Sequence, residues 1–259
     1  MYISKYEKLI TKEKLSYDMY ELNLNISEIR KKYNVGSSVV VNLQKKYGLK
    51  SKPLFLRRVP KDLTDKQKQI VCGTIIADGH LFRRNNKRNA ALKICHTVKQ
   101  EEYLDYKYEL LKDFVKTKPT TQISRVGSSV SVYKSFRTLT HPYFTEIHDE
   151  IYYKENNRYA KHLNISILNR IKDLGLAIAY MDDGTKHHKC RDFCFECFSF
   201  DEQEIFASWL KDAFDIKASI IQYNKKNKKG FRTRINKKSV NDFVKIIEPY
   251  VLKTMRYKL

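Results

Sequence analysis

At 259 residues, 42% hydrophobic and 12% aromatic, the chain can bury a core as one large domain or two to three modest ones, which excludes a disordered basic tail. Its 51 Lys and Arg against 29 Asp and Glu leave a net charge of +22, a self-repelling surplus that points to a polyanionic partner, nucleic acid first. No apolar run reaches the roughly 18 to 20 residues of a membrane-crossing helix, and the start lacks a signal peptide's apolar core, so an intracellular protein with no membrane partner is expected. The five cysteines are unevenly spaced and odd in number, which fits reduced thiols better than a disulfide framework. Heavy use of Lys, Asn, Ile, Tyr and Phe, all with AT-rich codons, suggests a phage, bacterial or organellar genome.

The first 60 residues carry 13 basic and 5 acidic side chains and end in Ser51-Lys-Pro-Leu-Phe-Leu-Arg-Arg-Val-Pro60, a basic stretch bracketed by prolines that reads as a linker. Upstream, Ser27 can cap a short helix whose Ile29 and Tyr33 stand at i, i+4. After the turn Asn34-Val-Gly36, Ser37 and Ser38 open a second helix. A short helix, a glycine-containing turn and a helix with a polar start form the layout of a helix-turn-helix, whose second helix enters the major groove with Ser37, Ser38, Asn42 and Lys45 facing DNA. A plain helical hairpin packed on the main body has the same pattern, and basicity rather than spacing favours DNA. The expected division is a small all-α domain over 1–56 and a linker over 57–63.

From there the chain repeats itself, over 64–160 and again over 161–259. A helix ending in Ile75-Ile-Ala-Asp78-Gly79 is followed by a basic turn, a strand over 90–97, a helix from Gln100 to Phe114, strands over 121–126 and 129–136, and a short helix near His141-Pro142. The second copy has a helix ending in Tyr180-Met-Asp-Asp183-Gly184, a basic turn, a strand over 193–200, a helix over 201–214, strands near 216–223 and 231–235, and a helix over 239–247. Duplication predicts a pseudo-twofold monomer, a homodimer written into one chain, that presents one composite surface.

Both of these helices end in a carboxylate, where the helix dipole disfavours acids. Packed side by side they bring Asp78 and Asp183 together, a like-charge pair made tolerable by divalent cations between them. Small residues suit the close contact: Gly73 and Ala77 on the first helix, Gly175, Ala177 and Ala179 on the second. Thr64 with Gln67 gives the first helix a capping box, and Asn164 or Ser166 can start the second.

The segments Val71-Cys-Gly-Thr-Ile-Ile-Ala-Asp78-Gly79 and Leu176-Ala-Ile-Ala-Tyr-Met-Asp-Asp183-Gly184 resemble the two signature motifs of the LAGLIDADG homing endonucleases. The resemblance covers 61–259 and is supported by His141-Pro142, Tyr152-Tyr153, Lys161 ahead of the second motif, and Lys258 near the end. Departures are Thr74 and Ile76 for Leu and Asp in the first motif, and Ile178 for glycine in the second. The resemblance implies an α+β fold of two αββαββα units, whose antiparallel sheets form a saddle over double-stranded DNA with a long asymmetric target. It implies metal-binding catalytic acids at Asp78 and Asp183, charge-stabilising lysines at Lys161 and Lys258, and water-positioning side chains at Thr97 and Ser199. The cation is Mg²⁺, with Mn²⁺ able to replace it and Ca²⁺ a non-cleaving substitute.

Base reading falls to the concave strands, since a two-stranded ribbon fits the major groove. Its candidates are Arg83, Arg84, Lys93, Arg125, Lys134, Arg137, Lys186, Lys189, Arg232 and Arg234, of which about half or more position the duplex without reading bases. A zinc site from His187, His188, Cys190, Cys194 and Cys197 is disfavoured, because thiols three apart in a strand point to opposite faces. Beside the double-strand endonuclease stand two other readings, an RNA-splicing maturase acting on intron RNA and a DNA-binding regulator that has lost catalysis. Retention of both acids counts against the last.

Overall fold

The computed structural model describes residues 4–22, 24–50, 59–84, 88–126, 129–155, 158–225 and 228–259. Contacts divide the chain into two units, residues 1–61 and 62–259. In the first, α1 (Ser4–Glu7), α2 (Lys12–Tyr20), α3 (Ile26–Tyr33) and α4 (Ser37–Lys46) close over a core of Ile10, Leu15, Met19, Ile29, Val40 and Leu43. The capping residue of α3 is Asn25 and not Ser27: Asn25 Oδ1 accepts from the Glu28 amide at 3.0 Å while Glu28 accepts from the Asn25 amide at 2.7 Å, a full capping box. The helix stops at Asn34, which adopts the left-handed conformation (φ 50°) that asparagine tolerates, and Val35-Gly36 lead into α4. Residues 51–58, most of the basic stretch read as a linker, lie outside the described residues.

The second unit opens with α5 (Asp65–Ile75), capped by the Thr64–Gln67 box. Then come β1 (His80–Phe82), β2 (Ala91–Thr97), α6 (Glu101–Leu111), β3 (Thr120–Val126), β4 (Ser129–Arg137) and α7 (Pro142–Ile151). A hairpin of β5 (Tyr152–Glu155) and β6 (Arg158–Lys161) and a short α8 (Ile165–Leu168) lead to α9 (Asp173–Asp183). The second copy continues with β7 (Gly184–His187), β8 (Cys190–Phe193), α10 (Phe200–Phe214), β9 (Ala218–Lys225), β10 (Lys228–Ile235) and α11 (Val240–Ile247). Each copy forms a four-stranded antiparallel sheet, in the order β1-β2-β4-β3 and β7-β8-β10-β9. The architecture is the expected duplicated α+β one.

Several boundaries differ from the sequence reading. Each basic turn after a motif contains a strand, β1 or β7, too short and too polar to show an alternation. The strand expected over 193–200 ends at Phe193, because Cys194–Ser199 turn into α10, and the strand argument about Cys194 and Cys197 lapses with it. Asn164 caps α8 and not the motif helix.

Register fixes which residues are equivalent. His80 pairs with Lys93 and Thr185 with Asp192, each two residues beyond a motif acid, so Lys93 corresponds to Asp192. Lys93 in turn pairs with Arg137, and Asp192 with Arg234. Continuing along the strands, His96 corresponds to Phe195, Thr97 to Glu196, and Ser135 to Arg232. One side of each sheet packs against its own helix, α6 or α10, and the alternate side chains point to the other side.

Candidate functional site

The site is built where α5 and α9 lie side by side. Gln69 begins the contact: its Nε2 donates to the Arg170 carbonyl at 2.7 Å and its Oε1 accepts from the Lys172 amide at 2.6 Å, supplying the start of α9 with the cap its own N-cap residue lacks. One turn on, a Cβ at Gly73 would stand 2.2 Å from the Gly175 carbonyl oxygen and 2.9 Å from the Ile178 Cβ, so the backbones approach as only glycine allows. The stripe on α9 is therefore Gly175, Ile178, Ala179 and Asp182, at i, i+3, i+4 and i+7. Ala177, two residues from Gly175, falls on the opposite side of the helix and is not part of the contact stripe it was expected to join. Ala77 also lies outside its helix, since α5 ends at Ile75 and Ile76–Asp78 form a turn closed by the Gly79 amide on the Thr74 carbonyl at 2.7 Å.

At the far end the acids meet. Burial, then the charges of Asp78 and Asp182, push the Asp183 carboxyl up to about 8 against the opposing pull of Lys161. The Asp78 side chain is 45% exposed. Lys161 donates to the carbonyls of Ile75 (2.9 Å) and Ala77 (2.6 Å), and Lys258 to those of Met181 (2.6 Å) and Asp182 (2.8 Å). Each lysine thus binds the carbonyl of the residue before its acid, and burial lowers the pKa of both ammonium groups.

Sequence reasoning missed a buried network behind Asp78. The Asp182 carboxylate receives both of its oxygens' bonds from Lys107, at 2.6 and 2.8 Å, and neither side chain has any exposure. Lys107 also lies 3.2 Å from His96 Nε2 and over the Tyr103 ring at 4.4 Å. His96 Nδ1 in turn lies 4.0 Å from Asp78 Oδ2. Burial first, then the Lys107 charge, lowers the His96 pKa to about 3, so the imidazole is neutral. Asp78, His96 and Asp182 are close enough to share an ion. Lys107, bonded to both oxygens, is the cation that the Asp182 carboxylate already faces. The signal in the sequence was Lys107 on the buried stripe of α6 with Tyr103, Leu104 and Leu111.

Ser199 caps α10, its Oγ accepting from the Glu202 amide at 3.2 Å. The residue in register with Thr97 is Glu196. Lys134 lies on the helix side of its strand, bonded to Glu101 (2.5 Å) and Asp105 (3.1 Å) of α6, because it alternates with the outward Ser135 and Arg137; it does not face DNA from the sheet as expected. Arg83 is held by both oxygens of Asp149 on α7. Lys93 and Arg137, and Arg232 and Arg234, lie on the open faces of the two sheets. Arg84, Arg125, Lys186 and Lys189 are exposed, as are Ser37, Ser38, Asn42 and Lys45 along α4 in the N-terminal unit.

The profile of the LAGLIDADG DNA endonuclease family matches residues 68–243. Cytochrome b mRNA maturase bI2 of Saccharomyces cerevisiae is 30% identical over 196 residues, 73% of this chain and 46% of that protein, so the chain spans about half of that relative's length. DNA endonuclease I-ChuI of Chlamydomonas applanata is 27% identical over 209 residues, 76% of this chain and 95% of that one. The structure of the homing endonuclease I-WcaI bound to its DNA recognition sequence superposes with a TM-score of 0.71 at 22% identity, covering 80% of this chain and 92% of the other, which shows a shared fold.

Proposed function

The chain belongs to the LAGLIDADG DNA endonuclease family, and on that footing we propose that it is a sequence-specific, Mg²⁺-dependent double-strand DNA endonuclease that hydrolyses one phosphodiester in each strand. The observation that carries this is the meeting of Asp78 and Asp183 at the ends of two packed helices, with one carboxyl raised by burial and by its neighbour's charge. Such a pair gains stability when a hard divalent cation replaces the proton that burial holds on Asp183, and oxygen ligands suit Mg²⁺. Bound there, the cation would polarise the phosphoryl group and lower the pKa of water.

The remaining chemistry belongs to this chain's own groups. An ammonium has three donors, and Lys161 and Lys258 each direct two to helix-end carbonyls, leaving one for a phosphate oxygen as charge builds. Because the carbonyls hold each ammonium beside its acid, both lysines are placed before substrate arrives. The open sheet faces, with Lys93, Arg137, Arg232 and Arg234, take the duplex, and α4 of the N-terminal unit offers Ser37, Ser38, Asn42 and Lys45 to a further stretch of major groove. The protein acts as a monomer, its two acids supplying the two cuts. A second reading, splicing of intron RNA, is favoured by the yeast maturase at 30% identity.

Cleavage of an AT-rich genomic library, with Mg²⁺ and with EDTA, tests the first reading. Discrete Mg²⁺-dependent breaks, mapped by sequencing the new ends and lost in both Asp78→Asn and Asp183→Asn, are expected. Absence of breaks with retained sequence-specific DNA binding would overturn it in favour of a regulator, and retained intron-RNA binding alone in favour of a maturase.

A further inference from the structure

The open faces of the two sheets carry opposite arrangements at matched positions. On the second, Arg234 donates from Nε to Asp192 Oδ1 at 2.8 Å and from Nη2 to Oδ2 at 2.7 Å, a two-point clasp on a carboxylate whose side chain is 2% exposed. Two residues along the strand, Arg232 donates from Nε to Glu196 at 2.5 Å and lies over the Tyr223 ring at 3.6 Å. On the first sheet the positions of Asp192 and Glu196 hold Lys93 and Thr97, and that of Arg232 holds Ser135. Arg137, in the place of Arg234, lies over the Phe82 ring at 4.0 Å, and among the described residues no carboxylate binds it.

We propose that Arg234 and Arg232, held by Asp192 and Glu196, each read a guanine in the half of the target that faces the second sheet, and that the two carboxylates are specificity-determining residues. The inference rests on the site-specific DNA reading above. The clasp on Asp192 uses the Nε–Nη2 edge of Arg234 and leaves Nη1 and the outer Nη2 proton, a pair of donors matched to guanine O6 and N7. Fixing the guanidinium beforehand removes the rotamer freedom it would otherwise lose on binding. A carboxylate beside each arginine also repels phosphate, which disfavours the sequence-blind contact an unpaired arginine would make. Asp192 itself is buried with both oxygens engaged and cannot accept from cytosine. The first sheet, with Lys93 and Arg137 and no acid between them, suits phosphate and adaptable contacts and leaves its half of the target less strictly read.

The test is selection of bound sequences from a randomised duplex library by the full-length protein in Ca²⁺, for the wild type and for Arg234→Lys, Arg232→Lys, Asp192→Asn, Glu196→Gln and Arg137→Lys. Each of the first two is expected to reduce guanine preference about tenfold or more at one position, both positions lying in the same half of the site. Asp192→Asn and Glu196→Gln are expected to relax those same positions while total affinity at low salt holds or rises, an outcome a purely structural ion pair would not give. Arg137→Lys is expected to alter only the other half. Glu196 is partly exposed, so Glu196→Gln keeps the test open if Asp192→Asn fails to fold. A wild type that selects no discrete sequence would overturn the site-specific reading itself. A discrete sequence unaltered by Arg234→Lys and Glu196→Gln would overturn this assignment alone.

Discussion

Behind the sheet of the first repeat, His96 and Lys107 meet the carboxylate of Asp182; behind the second, Phe195 and Phe206 stand at the same separation along the chain and pack edge to face at 5.1 Å. The residue before the motif acid differs to match: Asp182 in the second motif reaches into the first repeat, and Ala77 stands at its place in the first. A duplicated half could in principle pair with its own kind. Two first repeats would bury Lys107 with no carboxylate, and two second repeats would set an aspartate against phenylalanine, each costly in the absence of a partner. The difference shows how near-identical folds can be committed to pairing with each other inside one chain.

The largest effect follows from breaking one side of that network. Lys107→Met leaves the Asp182 carboxylate buried without its cation and is expected to destabilise the protein by about 3–5 kcal/mol. Copying the second repeat into the first, with Lys107→Phe, His96→Phe and Asp182→Ala together, is expected to recover most of that loss or to exceed the wild type, because a well-packed apolar core replaces a buried ion pair at little or no cost. Urea midpoints of the full-length protein at constant slope compare the three. A triple variant as unstable as the single one would mean that the charges, and not the packing they replace, hold this half together.

The same contrast shows how far the sequence could be read. The repeat, the motif helices and the meeting of Asp78 with Asp183 were legible because helix periodicity and the two Asp-Gly ends are local signals. Lys107 was not, because its partner lies on a helix 75 residues away and nothing in a single sequence pairs them. The short strands β1 and β7 were hidden inside basic segments, since three or four residues give too little alternation to see. Ser199 was misplaced for the opposite reason: the capping box with Glu202 was written in the sequence, but the strand assigned over it concealed the helix start. Which face Lys134 occupies followed only from the register of β4 against β2, which the sequence does not print.

A smaller effect separates the two acids. Burial lifts the Asp183 carboxyl from its ordinary 3.8 to about 8, whereas the Asp78 side chain is nearly half exposed. In EDTA the folded protein therefore holds a proton on Asp183 that the unfolded chain releases, so this group's contribution is complete below pH 3.8 and is lost as pH rises to about 8. Asp183→Asn removes that dependence. Melting temperatures at the two ends of the window should show the variant gaining on the wild type as pH rises, and saturating divalent cation should narrow the gap by binding the wild type alone. A gap that does not move with pH would mean that Asp183 is already ionised without metal, and the argument for cation demand at this site would fail.

The smallest effect concerns the turn that follows β2 in one repeat and β8 in the other. Thr97 opens a three-residue 3₁₀ turn and makes no capping bond, whereas Ser199 closes a full capping box on α10. Ser199→Ala should cost about 1 kcal/mol, and Thr97→Ala no more than about half of that. Because the hydroxyl of Ser199 is engaged with the Glu202 amide at 3.2 Å, its loss acts on stability, and cleavage below the melting transition should persist in proportion to folded protein. Turnover that collapses in Ser199→Ala while the denaturant midpoint stays put would return the hydroxyl to a place beside the reacting phosphate. It would mean that the Ser199 O–H, which capping leaves free to donate, holds the attacking water.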